Sequence, residues 1–295
     1  MKIDLHIHTN CSDGKFSPIE ILKKAKEQGI NTLSITDHDT VSAYTNDLFS
    51  YAKNNNITLI PGVEISTKIK KCGIHVLGYN IDINNKELNN KLKKIRNARH
   101  TYLHSVTKKL KELGYKVRLE ELDKIDAVTK AHISLDIISN KENEELLLKE
   151  FNTIPSKGIF IETIMNEGCP AYVKKETLTP NEAADLIRAA GGKVVLAHPV
   201  AYTYEDNLTI NEIQDIITDL NPDGLEAYYI YIDRNKNKHN DIEIWKKVAE
   251  DNNLFTTIGS DFHNKDGIHP DIGLINENLN ISAEEIKTII NYLNK

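Results

Sequence analysis

Short apolar runs that end on, or carry, a histidine or a carboxylate recur from one end of this chain to the other, and that recurrence constrains the fold more than any bulk property. The first is Lys2-Ile-Asp-Leu-His-Ile-His8, and others follow at residues 32–38, 57–66, 73–81, 192–199 and 254–263. On a strand of period two, His6 and His8 project from one face about 7 Å apart, close enough for two imidazoles to grip one cation. Asp261-Phe-His263 repeats the spacing with a carboxylate and an imidazole. Helical signals separate the runs: Ser17-Pro18 with Glu20 starts a helix, Ile21, Leu22 and Ala25 give its apolar face, and Gly29 ends it. Alternating strand and helix predicts a parallel sheet. Functional side chains gathered at carboxyl ends of strands predict the working face of an α/β barrel.

Nine residues of metal-ligating type sit on or beside these runs: His6, His8, Asp13, His38, Glu64, His75, His198, Asp261 and His263. A single histidine near an apolar strand is more often a satisfied core residue. Nine are a different matter, because burying so many ionisable groups without a cation costs several kcal/mol apiece. The pattern therefore predicts a polynuclear metal site. Cys11, Cys72 and Cys169 are an odd number without CxxC spacing, which argues against both a disulfide framework and a thiolate site. Cys11 reads as a small filler beside the cluster rather than a nucleophile.

With 295 residues the chain suits one barrel-sized domain carrying an insertion, or two domains. A formal charge of −6 offers no global basic field, so duplex nucleic-acid binding is not expected and a polyanionic substrate must be held locally. No stretch approaches the roughly 18 apolar residues of a membrane span and the start lacks a signal-like segment, so the expectation is a cytoplasmic protein with no membrane partner.

The strand–helix rhythm breaks between residues 84 and 178, where the sequence turns helical and basic. This predicts an inserted cap, leaving 1–83 and 179–295 for the barrel. Leu88, Leu92, Ile95, Leu103, Val106, Leu110 and Leu113 trace one apolar stripe. At about 100° per residue Arg99 falls inside that stripe, where a guanidinium requires a carboxylate or a phosphate as partner. Lys93, Lys94, Lys108 and Lys111 project elsewhere as a solvated face. Thr129-Lys130-Ala-His132 adds a cation and an imidazole.

The strings Asp4-Leu-His-Ile-His8, Ser12-Asp13-Gly14, Ile35-Thr-Asp-His-Asp-Thr40, Pro61-Gly-Val-Glu-Ile-Ser66, Ala197-His-Pro199 and Gly259-Ser-Asp-Phe-His263 resemble the PHP (polymerase and histidinol phosphatase) family of metal-dependent phosphoesterases. The order is the family's, and the helical insert resembles the bacterial branch acting on 3′,5′-nucleotide bisphosphates and RNA 5′ ends. The resemblance implies an α/β fold, a distorted (β/α)7 barrel with a mainly helical insertion domain, and three divalent ions. One ion would be held by His6, His8, Glu64 and Asp261, a second by bridging Glu64 with His75 and His198, and a third by Asp13, His38 and His263. Imidazoles and carboxylates without thiolates suit Mn²⁺, Fe²⁺ or Zn²⁺.

The activity implied is hydrolysis of a nucleotide phosphoester by a metal-activated water, with Glu64 and His198 at the catalytic step and Asp37 orienting a ligand or that water. The 3′-phosphate of a nucleoside 3′,5′-bisphosphate is the leading substrate, with 5′→3′ exonuclease action on short RNA beside it. Arg99, Lys130 and His132 match the branch's phosphate-binding positions. Two departures weaken a second phosphate subsite: lysine at 130 replaces an arginine, giving a point charge instead of a bidentate fork, and Val200-Ala201 stands where the branch has Gly-Arg. Tyr172 and Tyr202 are candidates for stacking a base, with packing the competing role. Two alternatives stand beside this reading, a small-molecule monoesterase such as a histidinol phosphatase and a non-catalytic, metal-stabilised interaction module.

Overall fold

The computed structural model describes residues 2–70, 72–174, 176–233, 235–265, 270–273 and 281–293. It divides into two compact units, Met1–Lys91 with Thr177–Lys295, and Leu92–Glu176.

The first unit is built on a seven-stranded sheet. Strands β1 (Ile3–Asp4), β2 (Thr32–Ile35), β3 (Thr58–Ile69), β4 (Cys72–Tyr79), β5 (Lys193–Leu196), β6 (Gly224–Tyr228) and β7 (Phe255–Ile258) follow one another in that order. The segments just beyond β7 and β1 bring the two ends together: Leu5 N–H donates to Ile258 O at 3.0 Å, His8 N–H to Phe262 O at 2.9 Å and Asp261 N–H to His6 O at 2.8 Å. The result is a nearly closed barrel.

One expectation is corrected here. The sheet is not all parallel, because β4 runs antiparallel to both β3 and β5 while the other neighbours pair in parallel. Only residues 70 and 71 lie between β3 and β4, and a parallel return needs a crossover of a dozen residues or more. Reversal has a consequence for the site. His75 lies near the start of β4, opposite Ser66 in the register, so this strand contributes at its amino end, whereas His6, His8, His38, His198 and Asp261 lie just beyond the carboxyl ends of their strands.

Helices cover the barrel because their sequences give them one apolar face. Helix α1 (Pro18–Glu27) starts in a capping box between Ser17 and Glu20 with Pro18 in its first turn. It buries Ile21, Leu22 and Ala25 against a cluster containing Leu33, Ile35, Leu48 and Phe262. Helix α2 (Asn46–Asn54) is capped by Thr45. A second cluster joins Leu5, Leu77, Tyr79, Val195 and Ile258 to the C-terminal helix (Ala283–Leu293) through Ile286 and Ile289.

The second unit lies within the predicted insertion interval. Its boundary falls inside α3 (Lys86–Glu112), after Lys91. Helices α4 (Leu119–Leu122), α5 (Lys130–Ser139), α6 (Glu144–Phe151) and α7 (Lys157–Phe160) follow. Leu103, Val106 and Leu110 of the predicted stripe are fully buried and pack with Tyr115, Ile133, Leu147 and Phe160 in this unit's own core.

Candidate metal centre

Strand alternation and barrel closure bring His6, His8, Asp13, His38, Glu64, His75, His198, Asp261 and His263 into one cluster. Glu64, on β3 and 1% exposed, is its hub. Its Oε1 lies 2.8 Å from His75 Nδ1 and 3.2 Å from His198 Nε2. Its Oε2 lies 3.0 Å from His38 Nδ1, 3.2 Å from His8 Nε2 and 3.4 Å from His6 Nε2. Asp261 Oδ1 completes the first corner, at 3.3 Å from His6 Nε2 and 3.1 Å from His8 Nε2. Asp13 forms another, with Oδ1 3.2 Å from His263 Nε2 and Oδ2 3.8 Å from His38 Nε2. Three overlapping sets have the spacing of ion ligands: His8, Asp13, His38 and His263; His6, His8 and Asp261; and His38, Glu64 and His75.

The local backbone is shaped for this convergence. Asp13 sits on a tight loop in which the N–H groups of Ser12 and Gly14 both reach Thr9 O, at 3.0 and 2.9 Å. A Cβ at position 14 would stand 2.4 Å from His8 O, so only glycine permits that approach. His198 and Asp261 hold positive φ values of 23° and 54°. Such conformations cost on the order of 1–3 kcal/mol each in a non-glycine residue, and they place both side chains toward Glu64 and the His6–His8 pair.

The electrostatics follow from crowding buried carboxylates among buried imidazoles. Burial favours protonated Glu64 and Asp13, yet the surrounding histidines hold both well below the ordinary carboxylate range. Burial disfavours the imidazolium of His8, but Asp261 and Glu64 outweigh it and raise the group to about 10. At His38 burial wins, aided by repulsion from His8 and His75, and the imidazole falls to about 3. The buried negative charge thus calls for positive charge beside it, which an imidazolium or a bound cation can supply.

The donor set fits divalent ions. The His6 and His8 Nε2 atoms face one another at 3.1 Å, a separation that two nitrogens bound to one ion adopt. Asp13 Oδ1, Glu64 Oε2 and His75 Nδ1 meet neighbours at 3.2, 3.0 and 2.8 Å without hydrogen-bond geometry, and His198 Nδ1 is buried with no hydrogen-bond partner, a state that costs roughly 1–3 kcal/mol unless something binds the atom. Among the described residues no thiol belongs to the three ligand sets; Cys11, Cys72 and Cys169 are only partly buried.

The other predicted residues fall in different places. Asp37 is buried and makes its hydrogen bonds to the loop, not to a ligand: it accepts from Thr9 N–H at 2.7 Å, Thr9 Oγ1 at 2.6 Å and Ser12 Oγ at 2.5 Å. Ser12 Oγ in turn lies 3.5 Å from His8 Nδ1. Tyr202 is 3% exposed, accepts the His75 N–H at 2.9 Å and packs edge-on against His198, so it is built into the wall. Tyr172 belongs to the second unit, where its carbonyl accepts from Lys109 at 2.5 Å. In that unit Arg99 is 4% exposed and donates to Val128 O at 3.3 Å. Lys130 donates to Asn166 Oδ1 at 2.8 Å, and His132 Nδ1 accepts Thr129 N–H at 3.1 Å, closing the capping box of α5. Arg99 therefore lies at the backbone that leads directly into Lys130 and His132.

Two residues of the site escaped sequence reasoning. Glu226 on β6 is fully buried, with both carboxylate oxygens 3.1 Å from His6 Nδ1. Tyr229, just past β6, donates its hydroxyl to Asp261 Oδ2 at 3.0 Å. The one signal available was a glutamate within the apolar run Gly224-Leu-Glu-Ala-Tyr-Tyr, where a buried carboxylate demands a partner.

Known proteins resemble this chain along most of its length. The PHP domain model matches residues 4–166. A 5′-3′ exoribonuclease from Haemophilus influenzae is 29% identical over 267 residues, covering 89% of this chain and 90% of the relative. A 3′,5′-nucleoside bisphosphate phosphatase from Chromobacterium violaceum is 25% identical over 265 residues, covering 88% and 87%. In fold, the chain is similar to an amidohydrolase from Chromobacterium violaceum solved with bound sulfate and no metal, with a TM-score of 0.74, 23% identity and 93% of each chain covered.

Proposed function

We propose, from the premise that this chain belongs to the PHP domain family, that it is a metal-dependent phosphoesterase whose substrate is a nucleotide phosphoester. Hydrolysis of the 3′-phosphate of a nucleoside 3′,5′-bisphosphate is the reading the features support best, with 5′→3′ exonuclease action on short RNA as its extension. Similarity to relatives of both names supports it. The observation that carries the reading is the convergence of five imidazoles on the two oxygens of Glu64, an arrangement with no use in a scaffold and a direct use in holding cations.

His6, His8, Glu64 and Asp261 would hold one ion, Glu64 with His75 and His198 a second, and Asp13, His38 and His263 a third. Divalent Mn, Fe or Zn in such a site supplies an activated water and neutralises charge on the phosphoryl oxygens. Glu64 would serve as the bridge because one oxygen faces His75 and His198 while the other faces His6, His8 and His38. Asp37 fixes the loop between His8 and Asp13 by accepting from Thr9 and Ser12, and so acts on the geometry of both.

Arg99, Lys130 and His132 are the substrate side of the proposal. A guanidinium binds phosphate through two parallel hydrogen bonds, and an ammonium adds a point charge. The 84–178 interval would then act as a phosphate-recognising domain, inserted in the sequence of a barrel formed by 1–83 and 179–295. No described helix is long and apolar enough to cross a membrane, and a cytoplasmic location suits a nucleotide substrate.

The test measures phosphate release from adenosine 3′,5′-bisphosphate, histidinol phosphate and a short 5′-phosphorylated RNA by the manganese-loaded protein. The bisphosphate is expected to turn over fastest. Activity on histidinol phosphate alone would defeat the nucleotide assignment, and inertness toward every ester, a generic aryl phosphate included, would defeat the enzyme.

A further inference from the structure

We propose that Glu226 is a positioning residue of the metal centre, which locks His6 as the Nδ1-protonated tautomer and fixes His198 through its backbone. This rests on the metal-dependent reading above. Strand β6 supplies none of the nine candidate ligands, yet Glu226 reaches two of them at once. Both of its oxygens lie 3.1 Å from His6 Nδ1, and its Oε2 also accepts the His198 N–H at 2.9 Å.

An ionised carboxylate only accepts hydrogen bonds, so His6 Nδ1 must be the donor, and in the neutral ring that a cation requires Nε2 carries the lone pair. Nε2 is the atom turned into the cluster, toward His8 Nε2, Asp261 Oδ1 and Glu64 Oε2. The bond to His198 matters for another reason. With φ 23° and ψ 60°, that residue sits in a conformation its own chain disfavours, and an anchored N–H holds it there.

Space has been kept for this contact. A Cβ on Gly259 would stand 2.3 Å from Glu226 Oε1 and 2.2 Å from His6 Cβ, so any larger residue would push the pair apart. A fully buried carboxylate is costly to fold around, and an apolar side chain at 226 would serve packing alone better. What an apolar residue cannot do is choose a histidine tautomer.

Zinc is the probe, and the comparison is wild type against Glu226→Gln, both prepared metal-free. The amide keeps the shape but offers a donor as well as an acceptor, so tautomer choice is lost while packing is retained. Chelator competition should show zinc bound 10- to 100-fold more weakly at one position in the variant, with the unfolding temperature of the metal-free protein unchanged. Equal zinc affinity in the two proteins would overturn the proposal. A second measurement needs no variant: long-range ¹H–¹⁵N correlation of zinc-loaded wild type should show His6 protonated at Nδ1, and protonation at Nε2 would overturn the proposal even if Glu226→Gln did not fold. Wild type that bound no zinc would instead sink the metal-dependent reading itself, an outcome distinct from equal affinities.

Discussion

Residues 92–176 hold 16 lysines and arginines against 13 aspartates and glutamates, whereas the rest of the chain holds 21 against 30. The two regions also place their charges differently. In the barrel unit a subset of carboxylates, Asp13, Glu64, Glu226 and Asp261, is drawn into the interior and surrounded by imidazoles. In the insert most cations stay at the surface, and Arg99 is the one set inside the apolar stripe of α3. On the proposed function, one region would bind positive ions and the other would offer positive charge to an anion. A phosphate ester on metal ions needs both, because the ions must be held by negative ligands that would by themselves repel the substrate.

The contrast can be broken most severely at its hub. Glu64→Gln should lower kcat/KM on the order of 10³-fold or more and release bound metal, as steady-state assays and metal analysis would read; retained metal with full activity would refute the bridging role. Leu110→Ala works on the other region, and a buried leucine truncated to alanine costs roughly 2–5 kcal/mol. Denaturant unfolding should show that loss confined to the insert, while zinc affinity of the barrel stays as in wild type. An equal drop in zinc affinity would mean that the two regions do not keep separate tasks.

Arg99→Ala is expected to raise KM for the bisphosphate roughly 30-fold with little change in kcat, the result of removing one side of a buried charge-assisted contact. Circular dichroism melting separates this from unfolding: a collapsed melt with unchanged KM in the surviving fraction would make Arg99 a packing residue, held by Val128 O. The smallest effect belongs to Lys130→Arg. A planar fork in place of a point charge should increase the preference for bisphosphate over monoester by about threefold, measured as a ratio of kcat/KM values. A ratio that does not move would detach Lys130 from the phosphate.

Much of this was readable in one dimension. The nine ligand candidates stood on or beside apolar runs, and the period-two spacing of His6 with His8 and of Asp261 with His263 follows from strand geometry alone. The capping box at Ser17 and Glu20 and the stripe from Leu88 to Leu110 were equally local. Direction of β4 was also implicit, in a connection of residues 70 and 71 too short for a crossover, but the stronger rhythm of alternating strand and helix masked it. Glu226 and Tyr229 were not legible as partners of the site. His6 and Glu226 are 220 residues apart, and nothing local to either names the other.

The sequence by itself determined which side chains could ligate ions, which faces of the helices would be buried and that the barrel would be interrupted by a helical segment, because each depends on spacing of 2 or 3.6 residues along a single element. Only the tertiary structure decided that Glu64 would lie among five histidines and that a carboxylate on β6 would reach His6. These depend on closing the sheet on itself, which sets distances between residues far apart in the chain, and no local periodicity encodes such distances.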